Sequence, residues 1–355
     1  MIKVLVVEDS PVVRELLSHI LSSDPGMEVV GTACNGEEAL EAVERFKPDI
    51  ITMDVQMPKM NGFDAARRIM ETTPTPIVVV SGSLEPQEVS TTFRALESGA
   101  LAVVRKPPGM GHPDHAESSS ELIRTVKAMS EVKVVRRWAR ATRVPVAAAA
   151  PSVIEAEVKP SPVAIKLIAI GASTGGPLAL QAILAELPAD FSAPIAVVQH
   201  IAPGFIRGFV EWLDRSTKLS VGIATHGEKL LPGRVYLAPD GSQMLVGNPG
   251  RILLTSDEPE NGLRPSVSSL FRSVAHAYGQ RAIGILLTGM GKDGAEELAL
   301  MKQMGSITIA QDEESSVVYG MPKEATRMGG ASYVFAPSRI AAVLMTLVHT
   351  GETLP

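Results

Sequence analysis

The chain has 355 residues, of which 45% are hydrophobic and 4% aromatic. That length suits about two domains of roughly 150 residues each, with enough apolar content for two cores. The net charge of −6 argues against a protein that coats nucleic acid, and the single cysteine, Cys34, excludes an internal disulfide and a cysteine-rich metal site. No apolar run approaches the roughly 20 residues of a membrane span. Glu8 and Asp9 cut short the first apolar stretch, where a signal peptide would continue. A cytoplasmic protein without membrane insertion is expected.

In chain order, strands are predicted over 3–7, 27–32, 49–53, 77–80 and 102–104. Amphipathic helical patterns fill the gaps, for example over 12–21, 37–46 and 86–98. Five βα units of this kind imply a parallel sheet covered on both faces. Residues 121–140 continue as a helix, and Arg136, Arg137 and Arg140 suit its C-terminal end as a solvated basic cluster. Periodicity is lost over 143–162, a stretch rich in alanine, valine and proline that reads as a tether. A second α/β pattern then begins. A buried strand over 166–170 runs into Gly171-Ala172-Ser173-Thr174-Gly175-Gly176, and Pro177 opens a helix over 178–187. A strand over 195–198 closes on Gln199-His200. Another over 282–288 is followed by Gly289-Met290-Gly291-Lys292-Asp293-Gly294 and a helix from Ala295. The first domain is placed at 1–120, a helix and flexible linker at 121–162, and the second domain at 163–350.

The polar residues of the first domain gather at strand ends. Glu8 and Asp9 close the first strand, Asp54 the third and Ser81 the fourth, and Lys106 follows the fifth. Open α/β folds place their ligands at this edge of the sheet. Three converging carboxylates repel one another unless a divalent cation neutralises them, and Mg2+ suits hard oxygen ligands. A carboxylate beside such a cation can attack a phosphoryl group, with Lys106 supplying counter-charge.

In the second domain Ser173, His200 and Asp293 each lie just past a strand end, on one predicted edge of one sheet. Serine is a poor nucleophile at neutral pH. Histidine can take its proton and return it to a leaving group, and an ionised aspartate holds the imidazole tautomer. The stretch also satisfies G-x-S-x-G, but the order Ser…His…Asp is not that of α/β-hydrolases, so another fold is expected to reach the same geometry. As a phosphate loop GASTGG is weaker, because it lacks both the dinucleotide glycine spacing and a P-loop lysine.

Both halves resemble known families. Glu8, Asp9, Asp54, Ser81 and Lys106, with Met57-Pro58 and Gly62, resemble the receiver domain of bacterial two-component response regulators. That resemblance implies a flavodoxin-like doubly wound parallel sheet, Asp54 as phosphoacceptor, and Mg2+ held by Glu8, Asp9, Asp54 and the Gln56 carbonyl. It implies Ser81 and Lys106 as phosphoryl sensors and a histidine kinase as phosphodonor. Val103 stands where many receivers carry a switching aromatic.

The stretches AIGASTGGP, VVQHIAPGF, VYLAPDG, RPSVSSLFRS, LLTGMGKDGA and AQDEESSVVYGMPKEA resemble the catalytic domain of chemotaxis protein-glutamate methylesterases. This implies a second doubly wound parallel-sheet domain, a three-layer αβα hydrolase, with Ser173 as nucleophile, His200 as base and Asp293 as its orienter. Thr174 and Met290 would provide oxyanion support. The implied reaction is hydrolysis of γ-glutamyl methyl esters, and deamidation of selected glutamines, on methyl-accepting chemoreceptors, with no cofactor in the ester step. Leu263, Ser268 and Glu297 depart from the family's usual histidine, aspartate and glycine.

One chain carrying a phosphoacceptor pocket and a hydrolase site suggests that phosphorylation of Asp54 unblocks access to Ser173. The competing readings are a receiver fused to a non-catalytic binding module, and a transcription factor. The second half shows no basic recognition helix for the latter. His112 and His115 are too few for a metal site. His226 and His276 read as ordinary surface or core residues, and Cys34 as a small buried one.

Overall fold

The computed structural model describes residues 1–82, 92–93, 95–132, 134, 161–247 and 250–348. These fall into two compact units, one carried by 1–82 and 95–134, the other by 161–348 together with Thr92 and Phe93. The basic cluster at Arg136, Arg137 and Arg140, the tether over 143–160 and most of the helix expected over 86–98 lie outside the described residues.

In the first unit, β1 (Ile2–Val7), β2 (Met27–Ala33), β3 (Ile50–Met53), β4 (Ile77–Ser81) and β5 (Ala102–Arg105) form one sheet of order β2-β1-β3-β4-β5. All of its pairings are parallel. This is the flavodoxin-like order, whose switch point lies at β1 and β3. Strands β3 and β4 are buried throughout, as unbroken apolar runs in a parallel sheet require. The helices are α1 (Pro11–Ser22), α2 (Gly36–Phe46), α3 (Gly62–Thr72) and α4 (His115–Ser130). Asn35 caps α2 and Asn61 caps α3 through side-chain oxygens that accept backbone N–H groups. Cys34 departs from expectation. It is half-buried, and its thiol lies 3.0 Å from Glu38 Oε2, because it stands in the polar turn before α2 rather than in the sheet.

The second unit is built on seven parallel strands. They are β6 (Leu167–Ala172), β7 (Ile195–Gln199), β8 (Ser220–Ile223), β9 (Arg234–Leu237), β12 (Ala282–Leu286), β13 (Ile307–Gln311) and β14 (Tyr333–Phe335), in the order β14-β13-β12-β6-β7-β9-β8. The chain starts at β6, builds outward to one side, then returns to build the other. The order therefore reverses between β6 and β12, where such sheets place their sites. An antiparallel hairpin of β10 (Gln243–Gly247) and β11 (Arg251–Thr255), not foreseen in the sequence, stands apart from the sheet.

Helices α5 (Gly176–Leu184), α6 (Ile206–Ser216) and α10 (Pro337–Leu347) form one outer layer. Helices α7 (Val267–Tyr278), α8 (Ala295–Gln303) and α9 (Met321–Arg327) form the other. Leu167, Ala169, Val267, Leu270, Phe271, Leu286 and Leu298 make up much of the core beneath the second layer. Gly171 permits this packing, since a Cβ there would stand 2.3 Å from Val267 Cγ1. No described helix is long and apolar enough to cross a membrane.

Candidate active site

In the first unit the predicted acidic pocket is assembled. Carboxylate oxygens of Glu8, Asp9 and Asp54 lie within 4.8 Å of one another. Lys106 Nζ sits 2.8 Å from both Glu8 Oε2 and Asp54 Oδ2. Asp54 Oδ1 accepts the Val55 N–H at 2.7 Å. Glu8, Asp54 and Ser81 are buried, whereas Asp9 and Gln56 are exposed. Burial pushes the Glu8 carboxyl up, with help from the Asp54 charge and against Lys106. Burial opposes the Lys106 charge too, but the hydrogen bonds to Asp54 and Glu8 outweigh it and raise that pKa. Glu8 Oε2 therefore has the Lys106 ammonium as its close partner, and that one ammonium is shared between two carboxylates. Three carboxylates facing one lysine leave excess negative charge on converging hard oxygen donors, which fits a divalent cation. One contributor, Arg14, is not legible in the sequence, and the role of Gly62 becomes clear in the fold. Arg14 donates to the carbonyls of Glu8 and Asp9, at 2.6 and 3.2 Å, and fixes the loop that carries them. Gly62 leaves room for Asp54, since its Cβ would lie 2.1 Å from the Asp54 carbonyl oxygen.

The second site follows from strand register. Ala172 of β6 pairs with Gln199 of β7, so Ser173 and His200 leave the sheet side by side. On the other flank Leu286 of β12 pairs with Gly171. The Ser173 N–H then donates to the Thr288 carbonyl at 3.0 Å, which draws the loop to Asp293 toward the same edge. His200 Nε2 lies 2.9 Å from Asp293 Oδ2. That bond leaves Nδ1 as the ring nitrogen available to act as base. The Ser173 side chain is half-buried, and its hydroxyl makes no hydrogen bond among the described residues.

Asp293 is held from several directions. Its Oδ2 also accepts the Val267 N–H at 2.7 Å, while Oδ1 accepts the Ser268 N–H and the Ser266 hydroxyl, each at 3.1 Å. Val267 and Ser268 open α7 and Ser266 caps it, so the carboxylate rests on a helix N-terminus. Burial pushes the Asp293 carboxyl up, but the His200 contact and these donors more than offset it and hold it below the usual carboxylate range. The sequence signal for these supports was an N-cap serine before a helical pattern. Nothing in the spacing told that its partner stands 27 residues on.

The backbone donors at this edge are aimed by what holds their carbonyls. The Ser173 carbonyl accepts the Gly176 N–H and Gln199 Nε2, each at 2.8 Å. The Gly289 carbonyl accepts the Gly320 N–H at 3.1 Å and the Met321 N–H at 2.9 Å. Across a planar trans peptide the N–H points opposite to the C=O. The N–H groups of Thr174 and Met290 therefore face away from those anchors, and neither donates to an acceptor among the described residues. Thr288 steadies the loop further, since its hydroxyl lies 2.9 Å from the Thr174 carbonyl. Leu263 is half-buried, and its carbonyl accepts Gln243 Nε2 at 3.1 Å. His112, His115, His226 and His276 make only local or backbone contacts.

Residues 168–344 match the CheB methylesterase family, and residues 4–112 match the response regulator receiver domain. A protein-glutamate methylesterase/protein-glutamine glutaminase of Nitrosospira multiformis is 56% identical over 354 residues, covering 99% of each chain. A Syntrophus aciditrophicus protein of the same description is 57% identical over 355 residues, covering 100% of each. The chain belongs to the protein-glutamate methylesterase/protein-glutamine glutaminase family. Among solved structures, the CheB methylesterase catalytic domain of Thermotoga maritima is 39% identical. It superposes with a TM-score of 0.50 over 51% of this chain and 98% of its own. The two family matches fall on the two units in chain order, receiver first.

Proposed function

We propose that this chain hydrolyses γ-glutamyl methyl esters on cytoplasmic helices of chemoreceptors, releasing methanol, and deamidates selected receptor glutamines by the same route. The His200–Asp293 pair beside Ser173 carries this reading. With Nε2–H donated to Asp293, His200 Nδ1 takes the proton from Ser173 Oγ as that oxygen bonds the ester carbonyl carbon. The carbonyl electrons move to oxygen, and the N–H groups of Thr174 and Met290 receive the oxyanion. The C–O bond to methoxide breaks, and the imidazolium returns its proton to give methanol. Water, deprotonated by His200, then attacks the acyl-serine and frees glutamate and Ser173. From a glutamine the leaving group is ammonia.

In the receiver, Glu8, Asp9, Asp54 and the Gln56 carbonyl would hold Mg2+. When bound, this ion neutralises the converging carboxylates and the incoming phosphoryl oxygens. The Asp54 carboxylate attacks the phosphorus of a phosphohistidine on a histidine kinase, the N–P bond breaks as the kinase imidazole leaves, and Ser81 and Lys106 sense the resulting aspartyl phosphate. The reaction occurs in the cytoplasm, and phosphorylation of Asp54 relieves a block on Ser173. The paired His200 and Asp293 and the names of the relatives favour this over a non-catalytic binding module.

The test is methanol release from methylated chemoreceptor membranes. Wild type should release methanol, and faster with a small phosphodonor. Ser173→Ala should release none, and Asp54→Asn should ignore the phosphodonor. Release by Ser173→Ala removes the catalytic reading, and an Asp54→Asn protein that still responds removes the regulatory one.

A further inference from the structure

Gln199 is 3% exposed, and its amide nitrogen donates to the carbonyls of Ser173, at 2.8 Å, and His200, at 2.7 Å. One side chain thus ties together the backbones of the nucleophile and the base. Its Oε1 is buried without a hydrogen bond. An orphaned buried acceptor is destabilising, and an apolar side chain of similar size would avoid that cost. The space is also reserved for it, since a Cβ on Gly176 would stand 2.2 Å from Gln199 Oε1. The gain from the amide must therefore lie with the two carbonyls it holds.

We propose that Gln199 is a positioning residue, holding the Ser173–Thr174 peptide plane so that the Thr174 N–H faces the developing oxyanion. The argument rests on peptide planarity. If the Ser173 carbonyl is held inward, the Thr174 N–H is turned outward. The Gly176 N–H alone pins that carbonyl from the helix side. Gln199 adds a second anchor from the neighbouring strand and stops the plane from rocking about the first. Its bond to the His200 carbonyl keeps the base in register with the same plane. The oxyanion donor is then fixed before substrate arrives, which is what makes such a donor effective.

The inference deepens the proposed esterase reading and depends on it. Gln199→Met keeps the bulk and removes both donors. Its kcat for methanol release should fall about 10- to 100-fold, as small misplacements at a reacting centre do, with KM unchanged. The affinity of a boronic acid, whose tetrahedral serine adduct places an oxygen in the oxyanion position, should weaken by the same factor. A merely structural role would lower the melting temperature or the fraction of titratable serine and leave boronate affinity intact. That result, or wild-type kcat, overturns the proposal. Gln199→Glu gives an independent readout if the methionine variant fails to fold. A protonated carboxyl regains one donor, so its rate relative to wild type should rise as pH falls, and a flat ratio overturns the proposal. Ser173→Ala is run alongside. If it is inactive while Gln199→Met keeps full activity, only the positioning role is lost. If Ser173→Ala is active, the esterase reading fails as well.

Discussion

Replacing Asp293 with asparagine tests the catalytic geometry most directly. Oδ2 accepts His200 Nε2 and the Val267 N–H, and Oδ1 accepts the Ser268 N–H and the Ser266 hydroxyl. An amide has one acceptor end, so either orientation turns its NH2 toward a backbone N–H. With the nitrogen at the Oδ2 position, both Val267 N–H and His200 Nε2–H are opposed, and the ring proton is forced onto Nδ1. With the nitrogen at the Oδ1 position, only the Ser268 N–H is opposed, because the Ser266 hydroxyl can rotate and accept. The second orientation wins, and His200 keeps its tautomer. What is lost is the negative charge facing the imidazolium, together with one satisfied N–H. A charge-assisted bond exceeds a neutral one by about 1–2 kcal/mol, and an unsatisfied buried N–H costs about 1–3 kcal/mol. The first term, strengthened in a dry site, lowers kcat by about 10- to 100-fold. The second lowers folding stability without acting on the rate. Methanol release at saturating receptor, paired with thermal denaturation, separates the two. A kcat within about threefold of wild type refutes the reasoning, because it would mean the carboxylate does not face a developing charge. A loss near 10⁴-fold would show that the first orientation had won and the tautomer had inverted.

Other consequences follow from the same contacts. Because the folded Asp293 pKa lies below its ordinary 3.8, its stabilisation is complete above that value and lost as pH falls through the folded value. The melting difference between wild type and Asp293→Asn should therefore be constant from pH 7 to about 5 and shrink in stronger acid. Gly320→Ala should lower kcat by about 100-fold, because the new Cβ would stand 2.6 Å from the Gly289 carbonyl and turn the Met290 peptide. Its KM for receptor should hold. Arg272→Ala should cost about 1 kcal/mol, read in urea denaturation. The loss should shrink in high salt, since the guanidinium is 44% exposed where it joins Glu260 and Glu297. Asp54→Asn should take up no phosphoryl group from a small phosphodonor with Mg2+, followed by intact-protein mass.

Much of this was legible in the sequence for one physical reason. A parallel strand buried on both faces is an unbroken apolar run, and the first polar residue after it marks the functional edge of the sheet. Glu8, Asp54, Ser173 and His200 all stand at such breaks, so the sequence alone places them at that edge. Asp293 stands seven residues past the end of β12, and only its glycine-rich loop points to it. What the sequence could not show are contacts whose partners are remote and whose residue types are ordinary. Gln199 is an unremarkable strand-end glutamine until its amide is seen between two carbonyls. The choice of ring nitrogen is likewise invisible, because both tautomers share one letter. The β10–β11 hairpin is hard to read because it lies between α6 and α7, where four short strands follow one another without the helices that punctuate the rest of the chain. Cys34 was misplaced because residue type favours burial, while its position in the α2 capping turn places the thiol beside Glu38.

Ser268 and Glu297 show why departures from a family pattern must be read in space. Taken singly, each looks like a local change at the rim of the site. In the fold they meet, since the Ser268 hydroxyl donates to Glu297 Oε2 at 2.6 Å and accepts the Gly294 N–H at 3.0 Å. Arg272, one turn further along α7, closes the set by binding Glu297 Oε1 at 2.8 Å and the Glu260 carboxylate. An aspartate at 268 beside Glu297 would set two carboxylates against each other, close to the third at Asp293. A glycine at 297 beside Ser268 would take away the acceptor of a part-buried hydroxyl and one of the two carboxylates that Arg272 neutralises. Each residue thus makes the other tolerable. The arrangement they jointly support is the one that matters for chemistry. The Ser268 backbone N–H donates to Asp293 while its side chain holds the Gly294 turn that follows. The pair therefore alters how the carboxylate is braced and leaves the His200–Asp293 contact in place.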